Sequence, residues 1–152
     1  MKKLISAVLI ICSVLLLFGC ASVKMASKEE DTALKKFEMP SEGKAGLYLY
    51  RNSFLGQALY KDLYVDSVFI GETANGVYFY LQILPGIHTI STESEFGENS
   101  VSFEAEEGKN YFAEQYVKAG VFVGGAGIEM VDESVGMQQV IDCELAEQQN
   151  PR

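Results

Sequence analysis

The chain is poor in the side chains that most metal sites and catalytic triads require. It has one histidine, His88, and three cysteines in 152 residues. Metal binding needs several converging imidazole, thiolate or carboxylate ligands, and nucleophilic catalysis needs a Ser or Cys with a histidine and an orienting acid. We therefore expect no metal, no cofactor and no enzymatic activity, and we expect His88 to have a structural role.

Cysteine is also too scarce for a disulfide framework. Cys12 and Cys20 lie near the N-terminus, within or at the end of an export signal described below, which leaves Cys143 without an intramolecular partner. A lone thiol can pair between chains, but burial as a small apolar side chain is commoner, and we expect that for Cys143.

Basic residues are few, with 12 Lys and Arg against 21 Asp and Glu, a formal charge of −9. Loss of residues 1–19 would remove Lys2 and Lys3 and leave 10 − 21 = −11. A chain this acidic repels phosphate backbones and anionic headgroups, so nucleic acid is excluded as a partner. The acidic residues lack the spacing of a calcium loop and are explained by solvated strand faces and turns.

The longest apolar run is too short to span a membrane. Lys2 and Lys3 precede an apolar run from Leu4 to Phe18, about fifteen residues, where a spanning helix needs roughly twenty. A basic start, a short apolar run and a small residue before the expected cleavage point have the layout of a secretory signal. We predict export and no permanent transmembrane helix.

The end of this signal resembles the lipobox of bacterial lipoproteins, because Leu17 and Gly19 precede Cys20 in "LFGC". The resemblance implies cleavage before Cys20 and attachment of acyl chains to it; an ordinary signal peptide that happens to contain cysteine is the alternative. Two or three acyl chains make a stable anchor, at roughly 0.8 kcal/mol per buried methylene. Cys20 is followed by Ala21 and Ser22 rather than aspartate, which favours the periplasmic side of the outer membrane.

The mature chain divides into a polar segment and one domain. Residues 20–43 are interpreted as the lipidated cysteine and a polar tether, and a flexible coil of this length spans roughly 25 Å. Within it, "KEEDTALKK" can form a turn or two of helix that presses Leu34 and Phe37 on the domain. Residues 44–152 are enough for one core and too few for two domains.

From Lys44 onward apolar and polar residues alternate with the period of a β-strand. Glycine- and asparagine-containing turns separate the runs, which predicts a mainly β fold, an antiparallel β-sandwich of seven to eight strands. We expect strands near 45–51, 62–66, 68–72, 76–84, 87–93, 100–106, 110–118 and 127–132. A change to helical spacing then predicts a C-terminal helix that docks on a sheet, through Met137, Val140, Ile141 and Leu145.

Four stretches together resemble a family of uncharacterised bacterial lipoproteins with a single domain of unknown function: "MASKEEDTALKKFEMPSEGKAGLYLYR", "YVDSVFIGETANGVYFYLQILPGIHTIS", "GKNYFAEQYVKAGVFVG" and the Val-Asp-Glu turn into the last helix. The likeness covers roughly Met25 to Leu145. The central part is also similar to the PEGA repeat, an exported immunoglobulin-like β-sandwich module. The matching residues are Val65, Asp66, Gly71, Pro85, Gly86 and His88, with Ser67 where that motif usually has glycine. The resemblance implies an envelope sandwich and supplies no catalytic residue.

Paired tyrosines form one candidate contact face. Strand alternation places Tyr48 and Tyr50 opposite the leucines of their strand, and Tyr78 and Tyr80 opposite the aliphatic residues of theirs. Tyrosine rings favour glycan and protein contact surfaces. In the alternative, which we expect, the C-terminal helix covers this face and makes it a second core.

The glycine-rich stretch "GVFVGGAG", residues 120–127, holds a second candidate contact. It lacks the Lys-Ser/Thr pair of a phosphate-binding loop, so a strand end that passes into a loop is the better interpretation. Val121, Phe122 and Val123 would give that loop an apolar tip that contacts a partner or a membrane.

These features predict a lipid-anchored, non-enzymatic envelope protein that binds another envelope component through a sheet face or a loop tip. The alternative is a lipoprotein that binds a small ligand or a glycan through the tyrosine face.

Overall fold

The protein is a two-sheet β-sandwich with two short helices packed on one of its outer faces. The computed structural model describes residues 23–93, 99–118 and 125–149. In these ranges the elements follow in the order α1 (Lys28–Leu34), β1 (Ala45–Arg51), β2 (Lys61–Val65), β3 (Val68–Thr73), β4 (Val77–Ile83), β5 (Gly86–Thr92), β6 (Asn99–Ala105), β7 (Asn110–Lys118), β8 (Gly125–Val131), α2 (Glu133–Ile141) and β9 (Glu144–Leu145). The predicted fold class, a mainly β sandwich with a C-terminal helix, is confirmed.

The strands form a five-stranded sheet in the order β8-β7-β1-β4-β9 and a four-stranded sheet in the order β3-β2-β5-β6. Most neighbours are antiparallel, as expected, but β1 runs parallel to β7 and β4 runs parallel to β9. A two-residue periodicity identifies a strand without identifying its neighbour, so the sequence did not reveal these parallel pairs.

The eight predicted strands lie within one or two residues of β1 to β8, but the C-terminal helix is shorter than its spacing predicted. We expected Leu145 on the helix, and this is wrong because α2 ends at Ile141. The chain then turns through Asp142 and Cys143, and Leu145 pairs with Tyr78 in the parallel β4–β9 ladder. In this ladder β9 covers the edge of β4 that would otherwise have unpaired backbone groups, and Leu145 is buried.

An aliphatic core fills the space between the two sheets. Its side chains come from the alternate positions that face inward on each strand, which is why the period-two pattern found them. The fully buried members are Ala45, Leu47, Leu49, Leu63, Ala74, Phe79, Ile90 and Ala113.

The strand registers define two ends of the sandwich. Ala45 pairs with Ile83, and Gly46 with both Gln82 and Asn110, so the start of β1 and β7 and the end of β4 share one end. We call this the proximal end; it also carries the β4–β5 and β6–β7 turns. The distal end carries Arg51, which pairs with Val77, and the loop 52–60.

Residues 23–43 are folded against the sandwich, where we had expected a polar tether. Met25 forms a bridge with Ala146, and the amide of Ala26 donates to Leu145 O at 2.9 Å. A capping box of Ser27 and Glu30 then starts α1, because each residue bonds the backbone amide of the other. The span of roughly 25 Å expected for a flexible coil therefore does not apply to the residues from Val23 onward. The predicted helix, with Leu34 and Phe37 on the domain, is confirmed.

Candidate functional site

The tyrosine face is a second core, as we expected. Tyr48 lies opposite Tyr80, and Tyr50 lies opposite Tyr78, in the β1–β4 ladder. Tyr48, Tyr50 and Tyr78 are completely buried, so they cannot contact a partner while the helices are in place. Tyr80 alone of the four is partly exposed.

Both helices cover these rings, whereas the sequence had suggested mainly the C-terminal one. Phe37, just after α1, packs 5.4 Å from Tyr48 and 5.9 Å from Phe112 between ring centroids. Val140 of α2 and the following Cys143 complete the cluster, and Cys143 is a buried free thiol, as predicted. Burial raises the pKa of Cys143 to about 12, which keeps the thiol protonated.

The buried tyrosine hydroxyls fasten α1 to the sheet. Tyr48 Oη donates to Leu34 O at 2.9 Å, and Tyr78 Oη donates to Asp31 O at 3.5 Å. Burial raises the pKa of both phenols well above the ordinary value, so both remain donors. The Asp31 carboxylate in turn accepts from the amide of Leu145 at 3.1 Å, so α1 is also joined to β9.

A shallow groove of about 470 Å³ lies beside Tyr80, between α1 and the β9 edge. Its walls are mostly apolar, with acidic and amide side chains at the rim. It is lined by Ala26, Glu30, Ala33, Leu34, Tyr80, Leu145, Ala146, Glu147 and Gln148. The groove has a volume suited to a small ligand.

His88 joins two turns at the proximal end. Its Nδ1 lies 2.6 Å from Asp66 Oδ2, and its Nε2 lies 2.7 Å from Leu84 O. Both partners are acceptors, so the ring bonds both only when both nitrogens carry protons. Burial alone would lower the pKa of His88, but these hydrogen bonds outweigh it and the pKa is raised. The geometry agrees with the structural role that we expected.

Asp66 also fixes the β2–β3 turn, where Asp66 and Ser67 both have positive φ angles, 50° and 66°. Its Oδ1 accepts from the amide of Thr89 at 2.9 Å, and its own amide donates to Thr89 O at 2.8 Å. The two central residues of such a turn need positive φ, which Asp tolerates through local hydrogen bonds and Ser tolerates less well.

Arg51 organises the distal loop 52–60, a feature that the sequence analysis missed. The side chain is completely buried. Its guanidinium donates to Leu59 O at 2.8 Å, to Thr73 O at 3.4 Å and to Gly56 O. Burial lowers the pKa of Arg51. The only sequence signal was an arginine at the end of the apolar strand "AGLYLYR".

This loop presents apolar side chains to solvent. Phe54 is 90% exposed and Leu55 is 54% exposed. The base of the loop is fixed as well, because the amide of Ser53 donates to Asn75 Oδ1 at 2.9 Å. An exposed phenylalanine on a pinned loop is a candidate contact point, since aromatic side chains are enriched at protein interfaces.

Two sequence-predicted sites lie outside the described residues: the acylation site Cys20, and the apolar loop Val121, Phe122 and Val123. Within the described residues, no group of three or more His, Cys, Asp or Glu side chains is placed to hold a metal ion. In the same ranges, no helix has the length and hydropathy needed to cross a membrane.

Two comparisons with known proteins found matches. The family described as "Protein of unknown function (DUF2846)" matches residues 41–126. An uncharacterized protein of Haemophilus influenzae (strain ATCC 51907 / DSM 11121 / KW20 / Rd) is 50% identical over 145 residues, which cover 95% of this chain and 86% of that protein. No solved structure matches the chain.

Proposed function

The chain belongs to the DUF2846 family of proteins of unknown function, and we propose that it is a lipid-anchored envelope protein that binds another envelope component without catalysing a reaction. The anchor is Cys20, and the binding element is the distal loop 52–60 with Phe54 at its tip.

The signal layout and "LFGC" support the anchor. Acyl chains on Cys20 hold the protein on a membrane surface, and Ala21-Ser22 favours the periplasmic face of the outer membrane. The likeness to the PEGA module is part of the same proposal. Two of its matched residues, Asp66 and His88, bond each other, which gives them a shared structural purpose.

The exposure of Phe54 on a pinned loop is the observation that carries the binding proposal. An exposed aromatic ring on a flexible loop would lose conformational entropy on binding. Arg51 and Asn75 fix the loop beforehand, so less entropy is lost when a partner encloses the ring. Buried aromatic anchors of this kind supply much of the free energy of protein association.

Site-specific photocrosslinking in intact cells tests this proposal. A photoreactive amino acid at position 54 should trap one discrete envelope component, and the same residue at Val135, on the exposed side of α2, is the matched control. Phe54→Ala should abolish the product that a photoreactive residue at Leu55 gives, because the ring supplies the anchor. Equal products from positions 54 and 135 would refute the loop as the contact.

The groove beside Tyr80 supports a second candidate function, the binding of a small apolar ligand or a glycan. Three of the four tyrosines are buried, so any ligand would meet Tyr80 together with the apolar wall of Leu34 and Leu145. Tyr80→Ala should then abolish ligand binding and leave crosslinking from position 54 unchanged. The opposite pattern would favour the loop.

A further inference from the structure

The N-terminal segment approaches the proximal end of the sandwich. Residues 23–26 run antiparallel to the segment 144–147, as the bridge between Met25 and Ala146 and the bond from the Glu147 amide to Lys24 O show. That second segment runs parallel to β4: the backbone amide of Ala146 donates to Tyr78 O, and the side-chain amide of Gln148 donates to Tyr80 O. Val23 therefore lies near the level of Tyr80, which is about 13 Å short of Leu84 measured along the strand direction at roughly 3.3 Å per strand residue.

The reach of the preceding chain limits the distance between this end and a membrane. Three peptide units separate Cys20 from Val23. Fully extended, three residues span about 10–11 Å. If Cys20 is acylated, this short reach keeps the membrane surface close to the level of the β4–β5 turn. A long tether would allow the membrane to lie much farther from the domain.

Apolar side chains are exposed at the same end. Leu84, in the β4–β5 turn, is 60% exposed, and Ile87, just beyond it, is 78% exposed. Val68, after the β2–β3 turn that His88 holds to Leu84 O, is 59% exposed. Leucine, isoleucine and valine side chains gain free energy when they leave water for the boundary between headgroups and acyl chains.

The charged neighbours restrict the kind of membrane. Glu42, Glu106 and Glu107 are exposed around the proximal end, with Lys109 paired to Glu106 at 2.8 Å. Acidic side chains are repelled by anionic headgroups within a Debye length of the surface. A zwitterionic surface suits this end, and an anionic one does not.

From these four observations we propose that the proximal end is a membrane-apposed surface, in which Leu84 and Ile87 enter the headgroup region of a zwitterionic bilayer beside the acyl chains of Cys20. The inference rests on the proposed lipid anchor, and it adds an orientation. The distal loop 52–60 is then held away from the membrane by the length of the strands, about 23 Å for seven residues.

The absence of tryptophan from the chain makes a direct test practical. Leu84→Trp and Ile87→Trp place a single fluorophore at the proximal end, and Phe54→Trp places one at the distal end as the matched control. All three positions are exposed, so the fold should tolerate the larger ring. The full-length lipidated variants are purified from membranes and reconstituted in phosphatidylcholine vesicles with or without brominated acyl chains.

Tryptophan at 84 or 87 should shift its emission to the blue and lose about half or more of its intensity with brominated lipid, since interfacial side chains reach roughly 5–10 Å into the boundary. Tryptophan at 54 should show neither change. Replacing part of the zwitterionic lipid by phosphatidylglycerol should reduce the quenching at 84 and 87.

The outcomes separate the two proposals. If the protein carries fatty acid and floats with the vesicles, but tryptophan at 84 and 87 is no more quenched than tryptophan at 54, the membrane-apposed end is refuted and the anchor stands. If the wild-type protein carries no fatty acid and does not float, both proposals fail.

Discussion

The five-stranded sheet has a different core on each of its faces. The inner face packs mainly aliphatic side chains against the second sheet, whereas the outer face packs tyrosine and phenylalanine rings under α1 and α2, with Leu145 of the edge strand β9 beside them. Neighbouring residues of β1 divide between them, since Leu47 and Leu49 point inward and Tyr48 and Tyr50 point outward. Strand alternation therefore distributes one sequence pattern over two cores of different chemistry.

The two cores also differ in what closes them. The inner core lies between the strands of the two sheets, and each strand contributes the side chains at its alternate, inward-facing positions. The N-terminal helix α1 and the C-terminal helix α2 cover the outer core. Tyrosine hydroxyls from the sheet bond carbonyl groups of α1 and hold that helix in place. Aromatic rings with polar tips suit such a site, because the ring is buried while the hydroxyl bonds a carbonyl of α1 as a second donor beside a backbone amide.

Adjacent substitutions on β1 give the largest expected effect. Leu49→Ala, in the inner core, and Tyr48→Ala, in the outer core, should each lower the free energy of unfolding by about 3–4 kcal/mol, since each removes a completely buried large side chain. Urea denaturation measures both. Tyr48→Phe is the matched control and should cost only about 1 kcal/mol, for the bond to Leu34 O. A negligible effect of Tyr48→Ala would contradict the second core.

Gly136→Ala tests how closely α2 approaches the sheet. In an isolated helix this change stabilises by roughly 1 kcal/mol. Here a Cβ at position 136 would overlap the Cβ and ring of Phe112, so the variant should be destabilised by about 1–3 kcal/mol. Ser134→Ala, at an exposed position of the same helix, should be nearly neutral. Thermal melts that show Gly136→Ala stabilised would mean that α2 lies farther from the sheet.

Ser27→Ala tests the start of α1. Ser27 Oγ accepts from the amide of Glu30 at 3.2 Å, and loss of such a cap costs about 1 kcal/mol. Thr32→Ala, on the exposed side of α1, is the control and should not destabilise. Equal unfolding midpoints for Ser27→Ala and Thr32→Ala would indicate that α1 contributes little to the fold.

His88→Gln should have the smallest effect, and one that depends on pH. Because the folded-state pKa of His88 is raised, its stabilisation is complete below the unfolded pKa of about 6.5 and is lost as pH rises through the folded value. Burial alone would raise the pKa of Asp66, but its hydrogen bonds to Thr89 and His88 together outweigh burial and lower the pKa. The contribution of Asp66 to stability is therefore lost as pH falls through that lowered value. The free energy of unfolding of the wild type should exceed that of the variant by about 0.5–1 kcal/mol near pH 5.5, and this difference should shrink towards pH 9. A difference independent of pH would contradict the protonated histidine.

The sequence predicted the features that depend on local periodicity. Eight strands and their turns follow from alternation and turn chemistry. The burial of Tyr48, Tyr50 and Tyr78 was expected from the further step that a C-terminal helix covers their face. The parallel partners of β1 and β4, and the short β9, did not follow, since pairing between distant segments leaves no local signal.

Among the candidate site residues, too, those with a local sequence signal could be predicted, and those that depend on contacts between distant residues could not. The structural role of His88 could be predicted because one histidine is too few for a site. The exposed Phe54 was not predicted, because it depends on Arg51 reaching three carbonyl groups across the loop and the end of β3. Residues 20–43 were interpreted as a tether because of their polar composition, which does not reveal the bond from Ala26 to Leu145, the capping box or the tyrosine bonds to α1.

Amide hydrogen exchange at Ala26 and Leu145 is the most direct test of the central claim that the N-terminal segment belongs to the folded domain. The Ala26 amide donates to Leu145 O, and the Leu145 amide donates to Asp31 Oδ1. Both amides should exchange as slowly as those in the β1–β4 ladder, because opening them requires release of α1 from the outer core. Exchange of the Ala26 amide at the rate of an unstructured peptide, with the ladder still protected, would show that the segment is a tether after all.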